Sequence, residues 1–153
     1  MPPNAHLAQV NVGRLRAPVD APEVHEFVAN LDRVNALAEA SPGFVWRLKD
    51  DSGNATSIPF DPDPLVIVNL TVWASIEALE DFVLRTAHVE FLRRRREWFD
   101  RMEDAYLALW WVVPGTEPTL DDARARLDHL RRLGPTPTAF TFRRRFEPEA
   151  LAR

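Results

Sequence analysis

The chain has 153 residues, of which 46% are hydrophobic and 27% are charged, proportions typical of one globular domain with a substantial core. It has no cysteine, which excludes disulfides, thiolate metal sites and cysteine nucleophiles. The formal net charge of -4 argues against nucleic-acid binding. The sequence shows neither a secretion signal nor an apolar run long enough to span a membrane, so we expect a cytoplasmic protein without a nucleic-acid or membrane partner.

The first two predicted elements are a strand and a helix. Residues 6–15 alternate between apolar and polar side chains, which predicts a strand with Gln9 and Asn11 on one face and a mainly apolar second face. An apolar stripe with a period of 3.6 residues predicts a single helix over residues 24–38. The sequence Ser41-Pro42-Gly43 ends this helix, because proline and glycine both interrupt helical structure.

A second strand and a long loop follow. Residues 44–49 predict a strand whose alternation places Phe44, Trp46 and Leu48 on one face. Residues 50–64 are rich in Asp, Pro, Ser and Gly, a composition typical of loops. This segment is long enough to act as a lid.

The strand predicted over residues 65–73 carries the most informative side chains of the sequence. Alternation puts Asn69, Thr71 and Trp73 on one face, whereas the opposite face is wholly apolar. An apolar wall interrupted by an amide and an indole is typical of a pocket lining. A hydrogen-bonded core Asn beside a packed Trp gives the same pattern, so both interpretations stay open at this point.

Two helices come next. Ser75 is predicted to cap a helix over residues 76–83. A second apolar stripe, over residues 88–102, predicts another helix and places His88 and Phe91 on its inward side.

The last three elements are a strand, a helix and a strand. Residues 106–113 predict a strongly apolar strand. Thr119 and Asp122 form a predicted capping box at the start of the next helix, and Gly134-Pro135 ends it. A final strand is predicted over residues 140–146.

Two runs of arginine need an explanation in a protein of negative net charge. On a helix, residues 93–96 spread around the cylinder with Glu90 and Glu97 within pairing distance, which indicates a solvated, ion-paired surface. In a strand, Arg144 points away from its two arginine neighbours and towards the face of the phenylalanines. Arg144 is therefore a candidate to snorkel, to pair with a carboxylate or to hold an anionic ligand.

The order of elements predicts an α+β protein with a ferredoxin-like antiparallel sheet and helices on one face, followed by an extra C-terminal helix and strand. We expect a single domain over residues 1–153, with a core at about 5–114 and an extension at about 118–147.

The sheet face without helices needs a cover. We expect this to be the mixed face, which carries Asn11, Asn69, Thr71 and Trp73, because an apolar face suits packing against helices. A second copy that packs its sheet on this face would form a dimeric α+β barrel, so a homodimer is predicted.

Several segments resemble the antibiotic biosynthesis monooxygenase superfamily, a set of dimeric α+β barrel proteins. The segments that carry the resemblance are 41–46 (Ser-Pro-Gly-Phe-Val-Trp), 70–79 (Leu-Thr-Val-Trp-Ala-Ser-Ile-Glu-Ala-Leu) and 82–92 with its His88. The ending Pro-Thr-Pro-Thr-Ala-Phe-Thr-Phe, at residues 135–142, is similar to a bacterial branch that is a domain of unknown function.

The resemblance implies roles for particular residues. Cofactor-independent, quinone-forming members use an Asn and a Trp on one strand at this spacing, which here are Asn69 and Trp73. Haem-degrading members use an Asn on the first strand, a Trp on the third and a haem-ligating His on the following helix. Asn11, Trp73 and His88 match those placements.

The residues themselves permit few kinds of chemistry. The four histidines are scattered, so no metal site is predicted. No Gly-rich phosphate loop and no Gly-x-Ser-x-Gly element occurs. What remains is a pocket in which amides and an imidazole position a reactive substrate and move a proton.

The leading hypothesis is a small-molecule enzyme of secondary metabolism that acts on an aromatic or polyketide-like phenol without an organic cofactor. Asn69, Trp73 and His88 are the candidate catalytic residues, with His88 as general base. The candidate substrate-binding residues are Asn11, Thr71, Trp46, Phe91 and Arg144. Three alternatives stay open: a haem-binding or haem-degrading protein, a non-oxidative cyclase or isomerase, and a non-catalytic barrel that binds a hydrophobic ligand.

Overall fold

The computed structural model describes residues 5–49, 58–86, 88–102 and 104–148. Its strands are β1 (His6–Arg14), β2 (Phe44–Arg47), β3 (Val66–Trp73) and β4 (Leu107–Val112). Its helices are α1 (His25–Ala29), α2 (Leu31–Ala40), α3 (Ile76–Arg85), α4 (His88–Trp98) and α5 (Leu120–Leu133), with a short 3-10 turn at Pro22–Val24.

The four strands form one antiparallel sheet in the order β2-β3-β1-β4. The central pair, β1 and β3, is in a register that places Asn11 opposite Asn69 and Gln9 opposite Thr71. The predicted α+β class, an antiparallel sheet with packed helices, is confirmed.

Helices α1 to α4 cover the mixed face of the sheet, which corrects the prediction that this face lies away from the helices. Two apolar clusters hold them there. One joins Trp73 to Phe82 and Leu79 of α3 and to Ala38 of α2. The other contains Leu15, Val24, Trp98, Ile67, Phe27 and Phe91. The mixed face suits helices because apolar side chains occupy both of its ends and the polar side chains lie only between them.

The opposite, wholly apolar face packs against α5. Strand residues such as Val10 and Trp110 share one buried cluster with Ala123, Leu127 and Leu130 of α5. Val10 and Trp110 are no more than 1% exposed in the single chain. The chain's own C-terminal helix therefore covers the sheet face that α1 to α4 leave free, and homodimerisation stays a prediction.

The helix ends follow the predicted caps. The Ser75 hydroxyl accepts a hydrogen bond from the Ala78 amide, and Thr119 and Asp122 form the expected capping box. One predicted helix is divided: α1 and α2 replace the single helix over 24–38. Asn30 separates them, and its side-chain amide donates to the Glu26 carbonyl at 2.8 Å, a local bond that competes with helical hydrogen bonding.

Strand β2 contains an irregularity that reverses its alternation. Phe44 pairs with Trp73, but Trp46, two residues further along β2, pairs with Val72, the immediate neighbour of Trp73. The register therefore shifts by one residue between Phe44 and Trp46. Phe44 consequently packs on the face that α1 to α4 cover, which we call the helix-bearing face. Trp46 packs on the opposite side, the α5 face. The prediction that these two side chains share a face is wrong, because an extra residue in one strand moves every later side chain to the other side.

The C-terminal segment wraps around the edge of the sheet. Instead of the strand expected over residues 140–146, it forms one antiparallel bridge between Phe140 and Leu109. The chain then turns, and the Thr141 amide donates to the Arg144 carbonyl at 3.3 Å. The Trp111 indole then donates to the Phe146 carbonyl at 2.8 Å, which holds the segment against the helix-bearing face.

The arginine run of α4 lies on an ion-paired surface, as predicted. Arg93 pairs with Glu90, and Arg94 pairs with Glu97 and with Glu26 of α1. The predicted lid falls largely on residues 50–57, which lie outside the described residues. In the part of the chain that the structure describes, no helix is long and apolar enough to cross a membrane.

Candidate functional site

Five side chains on the helix-bearing face form one connected hydrogen-bond network, which we call the polar ladder. Its members are Gln9, Asn11, Asn69, Thr71 and Trp73. Strand alternation and the register of β1 with β3 bring them together, because each strand sends every second side chain to this face.

Thr71 and Gln9 are the centre of the polar ladder. The Gln9 Nε2 donates to Thr71 Oγ1 at 2.8 Å and to Asn69 Oδ1 at 3.1 Å. The Trp73 indole Nε1 also donates to Thr71 Oγ1, at 2.9 Å. The Asn11 Nδ2 donates to Gln9 Oε1 at 2.5 Å and to Asn69 Oδ1 at 3.2 Å.

The polar ladder runs from a buried end to an open end. Trp73, Gln9 and Thr71 are 1%, 3% and 5% exposed, whereas Asn11 is half-buried and Asn69 is exposed. Asn69 lies on an inner strand, on the face that four helices cover. The helices therefore leave an opening above Asn69, between the two apolar clusters.

The open end presents unused hydrogen-bonding capacity. Among the described residues, nothing accepts from Asn69 Nδ2 and nothing donates to Asn11 Oδ1. Rotating the side-chain amides of the polar ladder by half a turn exchanges these roles, yet it still leaves one donor and one acceptor free. The opening therefore offers an adjacent donor and acceptor to a bound molecule.

The structure places Trp73 at the buried end of the polar ladder. Phe44 meets the ring edge to face at 5.4 Å, and Phe82 stacks on it at 5.3 Å between centroids. Its indole N–H is fully used by Thr71. In this arrangement Trp73 anchors the ladder, and its ring faces other core side chains rather than the opening.

His88 begins α4 and packs its ring against Phe82, 5.0 Å between centroids. Its Nδ1 is buried and has no partner among the described residues. Burial lowers the pKa of the imidazole, and a hydrogen bond with the Val83 backbone only partly opposes this effect. The ring is therefore neutral at pH 7, and Phe82 lies between it and Trp73.

The remaining predicted residues lie apart from the polar ladder. Phe91 packs on Trp98 at 5.6 Å, within the cluster at the far end of the face. Trp46 lies on the opposite face of the sheet. Arg144 is exposed, and its guanidinium lies 4.2 Å from the Phe146 ring.

Two residues near the opening were not among the predicted site residues. Gln9 shares a face with Asn11, a pattern visible in the sequence, and only the register of β1 with β3 shows that it bonds Thr71. Arg47 pairs with Thr71 across β2 and β3 and lies on the same face, because of the irregularity in β2. No feature of the sequence indicates that irregularity.

A separate cleft of about 310 Å³ lies at the α5 side of the sheet. Its walls are Val12, Phe60, Val66 and Met102, with Asp61, Asp104 and Arg131 at its rim. No member of the polar ladder lines it. Within the described ranges, no three His, Asp or Glu side chains are grouped as metal ligands would be.

Comparison with solved structures finds proteins of similar shape and low identity. SnoaB, a cofactor-independent oxygenase from Streptomyces nogalater, is 17% identical, with a TM-score of 0.48 over 75% of this chain and 99% of that one. PA3566 from Pseudomonas aeruginosa is 15% identical, with a TM-score of 0.47 over 73% and 96% of the two chains. NE2512 from Nitrosomonas europaea, a protein of unknown function, is 11% identical, with a TM-score of 0.49 over 76% and 97%.

No curated protein matches the chain. A family model does match it, from residue 6 to residue 153, and thus covers the whole sheet, the polar ladder and α5. The chain therefore belongs to the family described as domain of unknown function DUF3291.

Proposed function

We propose that the protein is an enzyme that oxidises a small aromatic or polyketide-like phenol with O2 and without an organic cofactor. The observation that carries this proposal is the exposed Asn69 at the open end of the polar ladder, on a sheet face that helices otherwise bury. The sequence resemblance to quinone-forming monooxygenases, which assigns a role to Asn69 and Trp73, supports the same site.

The free groups of the opening match a phenolic substrate. A ring that carries a hydroxyl and a carbonyl oxygen offers one donor and one acceptor, the complement of Asn69 and Asn11. The two apolar clusters flank the opening along the strand, one beyond Thr71 and the other starting at Ile67. An apolar pocket with a few placed polar groups is typical of small-molecule sites.

The polar ladder holds Asn69 in a fixed orientation before a substrate binds. Trp73 fixes Thr71, Thr71 fixes Gln9, and Gln9 fixes the Asn69 oxygen. Preorganised donors stabilise negative charge that develops on a substrate oxygen, because the protein does not reorganise during the reaction. Trp73 thereby acts as a positioning residue.

The reaction needs no external reductant. A phenol that loses its proton becomes an electron-rich anion that can react directly with O2. One oxygen atom replaces the hydrogen on the ring carbon opposite the hydroxyl, which gives a quinone, and the other leaves as water. The electrons come from the C–H and O–H bonds of the substrate, so atoms and electrons balance.

We propose that His88 accepts the substrate proton through an intervening water, because no nitrogen of its ring opens directly on the polar ladder. Its pKa is lowered by burial, so the imidazole is in the neutral form that accepts a proton. Because Phe82 separates its ring from Trp73, we expect His88→Ala to lower turnover less than Asn69→Ala does.

Oxygen uptake with a panel of polycyclic phenols, including 1-naphthol and hydroxyanthrones, tests the proposal. We expect Asn69→Ala to lower kcat/KM about 100-fold, the effect of removing one preorganised donor. Asn30→Ala is the matched control, because the Asn30 side chain donates to the Glu26 carbonyl at the α1–α2 junction, away from the polar ladder. Wild-type uptake by the Asn69 variant would contradict the proposal.

Two other outcomes point to different functions of the same opening. A product formed without oxygen uptake indicates a cyclase or isomerase. Saturable binding with no product over a long incubation indicates a binding protein.

The residues present do not fit haem ligation. The Nδ1 of His88 is buried against the protein, and the Val83 backbone engages the ring. An axial ligand needs an open nitrogen beside space for the macrocycle. Haem is therefore not part of the proposed reaction, and titration with haem should give no Soret band that depends on His88.

Homodimerisation also belongs to the proposal. Because α5 covers the apolar sheet face, a second copy would have to bind elsewhere on the surface. Sedimentation velocity at micromolar concentration distinguishes a dimer from a monomer.

A further inference from the structure

Arg47 owes its position to the irregularity in β2. With regular alternation from Phe44, residue 47 would face α5. The register shift instead pairs Arg47 with Thr71 and turns it towards the helix-bearing face. Irregularities of this kind often re-aim a side chain beside a functional site.

The environment of Arg47 is unusual for a charged side chain. It is only 10% exposed, yet its one partner among the described residues is Glu39 of α2, through Nε at 3.3 Å. The ammonium of Lys49 lies 3.9 Å from the same carboxylate oxygen. Two cations thus share one carboxylate, which leaves net positive charge on the strand beside Thr71.

Stabilisation of the fold by this long ion pair is a poor explanation for the buried position of Arg47. Removing a guanidinium from water costs free energy that a single 3.3 Å bond regains only in part. A guanidinium also carries five donors in a planar fork that matches an anionic oxygen pair, and Glu39 uses only the Nε–H. The terminal nitrogens bond no other described residue.

We propose that Arg47 is the anion-binding residue of the opening, so that the ligand is an aromatic ring bearing a negatively charged oxygen. The class includes aromatic carboxylates, phenolates and enolates, which share this chemistry. Asn69 and Asn11 bind the oxygens that are neutral before the reaction, and Arg47 selects the oxygen that is already charged. The inference concerns the same opening as the proposed function and deepens it, because a phenolate is the form that reacts with O2.

Binding of a charged and a neutral probe tests Arg47 without requiring turnover. The probes are 1-naphthoate and 1-naphthamide, which have the same ring and differ in charge, and calorimetry measures their dissociation constants. We expect the wild-type protein to bind naphthoate about tenfold more tightly than naphthamide, the effect of one charge-assisted hydrogen bond. Arg47→Gln should abolish that preference.

Glu39→Gln separates anion binding from a merely structural ion pair. Loss of the competing carboxylate should strengthen naphthoate binding several-fold, the opposite of the Arg47→Gln effect. A structural pair predicts the same weakening from both variants. Arg93→Gln is the matched control, because Arg93 pairs with Glu90 on the exposed side of α4, and it should leave both dissociation constants unchanged.

The outcomes keep the two proposals distinct. An Arg47-dependent preference for naphthoate without oxygen uptake from any phenol supports the inference and contradicts the proposed function. Oxygen uptake that requires Asn69, together with no charge preference, overturns the inference alone. No detectable naphthoate binding, or equal effects of the Glu39 and Arg47 variants, also overturns it.

Discussion

Thr71→Val should destabilise the protein more than an isosteric change at a buried strand position normally does. The Thr71 oxygen accepts from both Trp73 Nε1 and Gln9 Nε2, and all three residues are at most 5% exposed. Each buried donor left without a partner costs about 1–3 kcal/mol. The extra methyl group of valine returns about 1 kcal/mol. With two such donors we expect the free energy of unfolding to fall by about 1–5 kcal/mol.

Urea unfolding followed by tryptophan fluorescence measures this change, with the midpoint shifted and the slope unchanged. Thr71→Ser is the matched control, because it keeps the hydroxyl and removes one methyl, at a cost of about 1 kcal/mol. In the background of Trp73→Phe, which removes the indole N–H, the additional cost of Thr71→Val should be smaller by about 1 kcal/mol or more. A Thr71→Val protein within about 0.5 kcal/mol of wild type would refute the view that Thr71 holds the polar ladder together.

Three further predictions concern packing, pH and the C-terminal helix. Gly43→Ala should lower the free energy of unfolding in urea by about 2–4 kcal/mol, because Gly43 has a φ of 85° and a Cβ there would lie 2.5 Å from that of Ala78. The control is Gly115→Ala, which should cost only the backbone strain, because Gly115 has a φ of 94° and open space around it. His88 has a folded-state pKa below its usual value, so the unfolded chain binds the proton more tightly and stability should fall as the pH drops from 7 through the usual value of about 6.5. His88→Gln should flatten that part of the pH profile, and an unchanged profile would contradict the buried, neutral imidazole. A chain that ends at residue 118 lacks α5 and exposes the apolar sheet face. It should self-associate, as measured by sedimentation, or bind a hydrophobic dye, as measured by fluorescence. A monomer that binds no dye would show that the sheet face does not need α5 as a cover.

Much of the fold was predictable from local pattern. The four strands of the sheet and most helix boundaries followed from apolar periodicity, whereas the strand expected over residues 140–146 was not found. The caps at Ser75 and Thr119 followed from hydrogen bonds that join residues three apart. The division of one helix at Asn30 was missed, because a side chain that competes for backbone bonds leaves the apolar stripe intact.

For the site, the sequence by itself determined that Asn69, Thr71 and Trp73 lie on one face of a strand, because side chains alternate with a period of two whatever the strand packs against. The tertiary structure decided the rest. It brought Gln9 and Asn11 beside them through the β1–β3 register, and it put helices rather than a second copy over that face. Strand alternation separates the two faces of a sheet, but only the three-dimensional path of the chain selects which face α5 covers.

The same distinction applies to Trp46 and Arg47. Their sequence predicts regular alternation from Phe44, and the register shift in β2 reverses it. Trp46 therefore lies on the α5 face, and Arg47 lies on the same face as Thr71. A shift of one residue depends on long-range pairing with β3 and on the packing of Phe44 against Trp73. Such contacts join residues far apart in the chain, so the tertiary structure, and not the local sequence, places the charge beside the polar ladder.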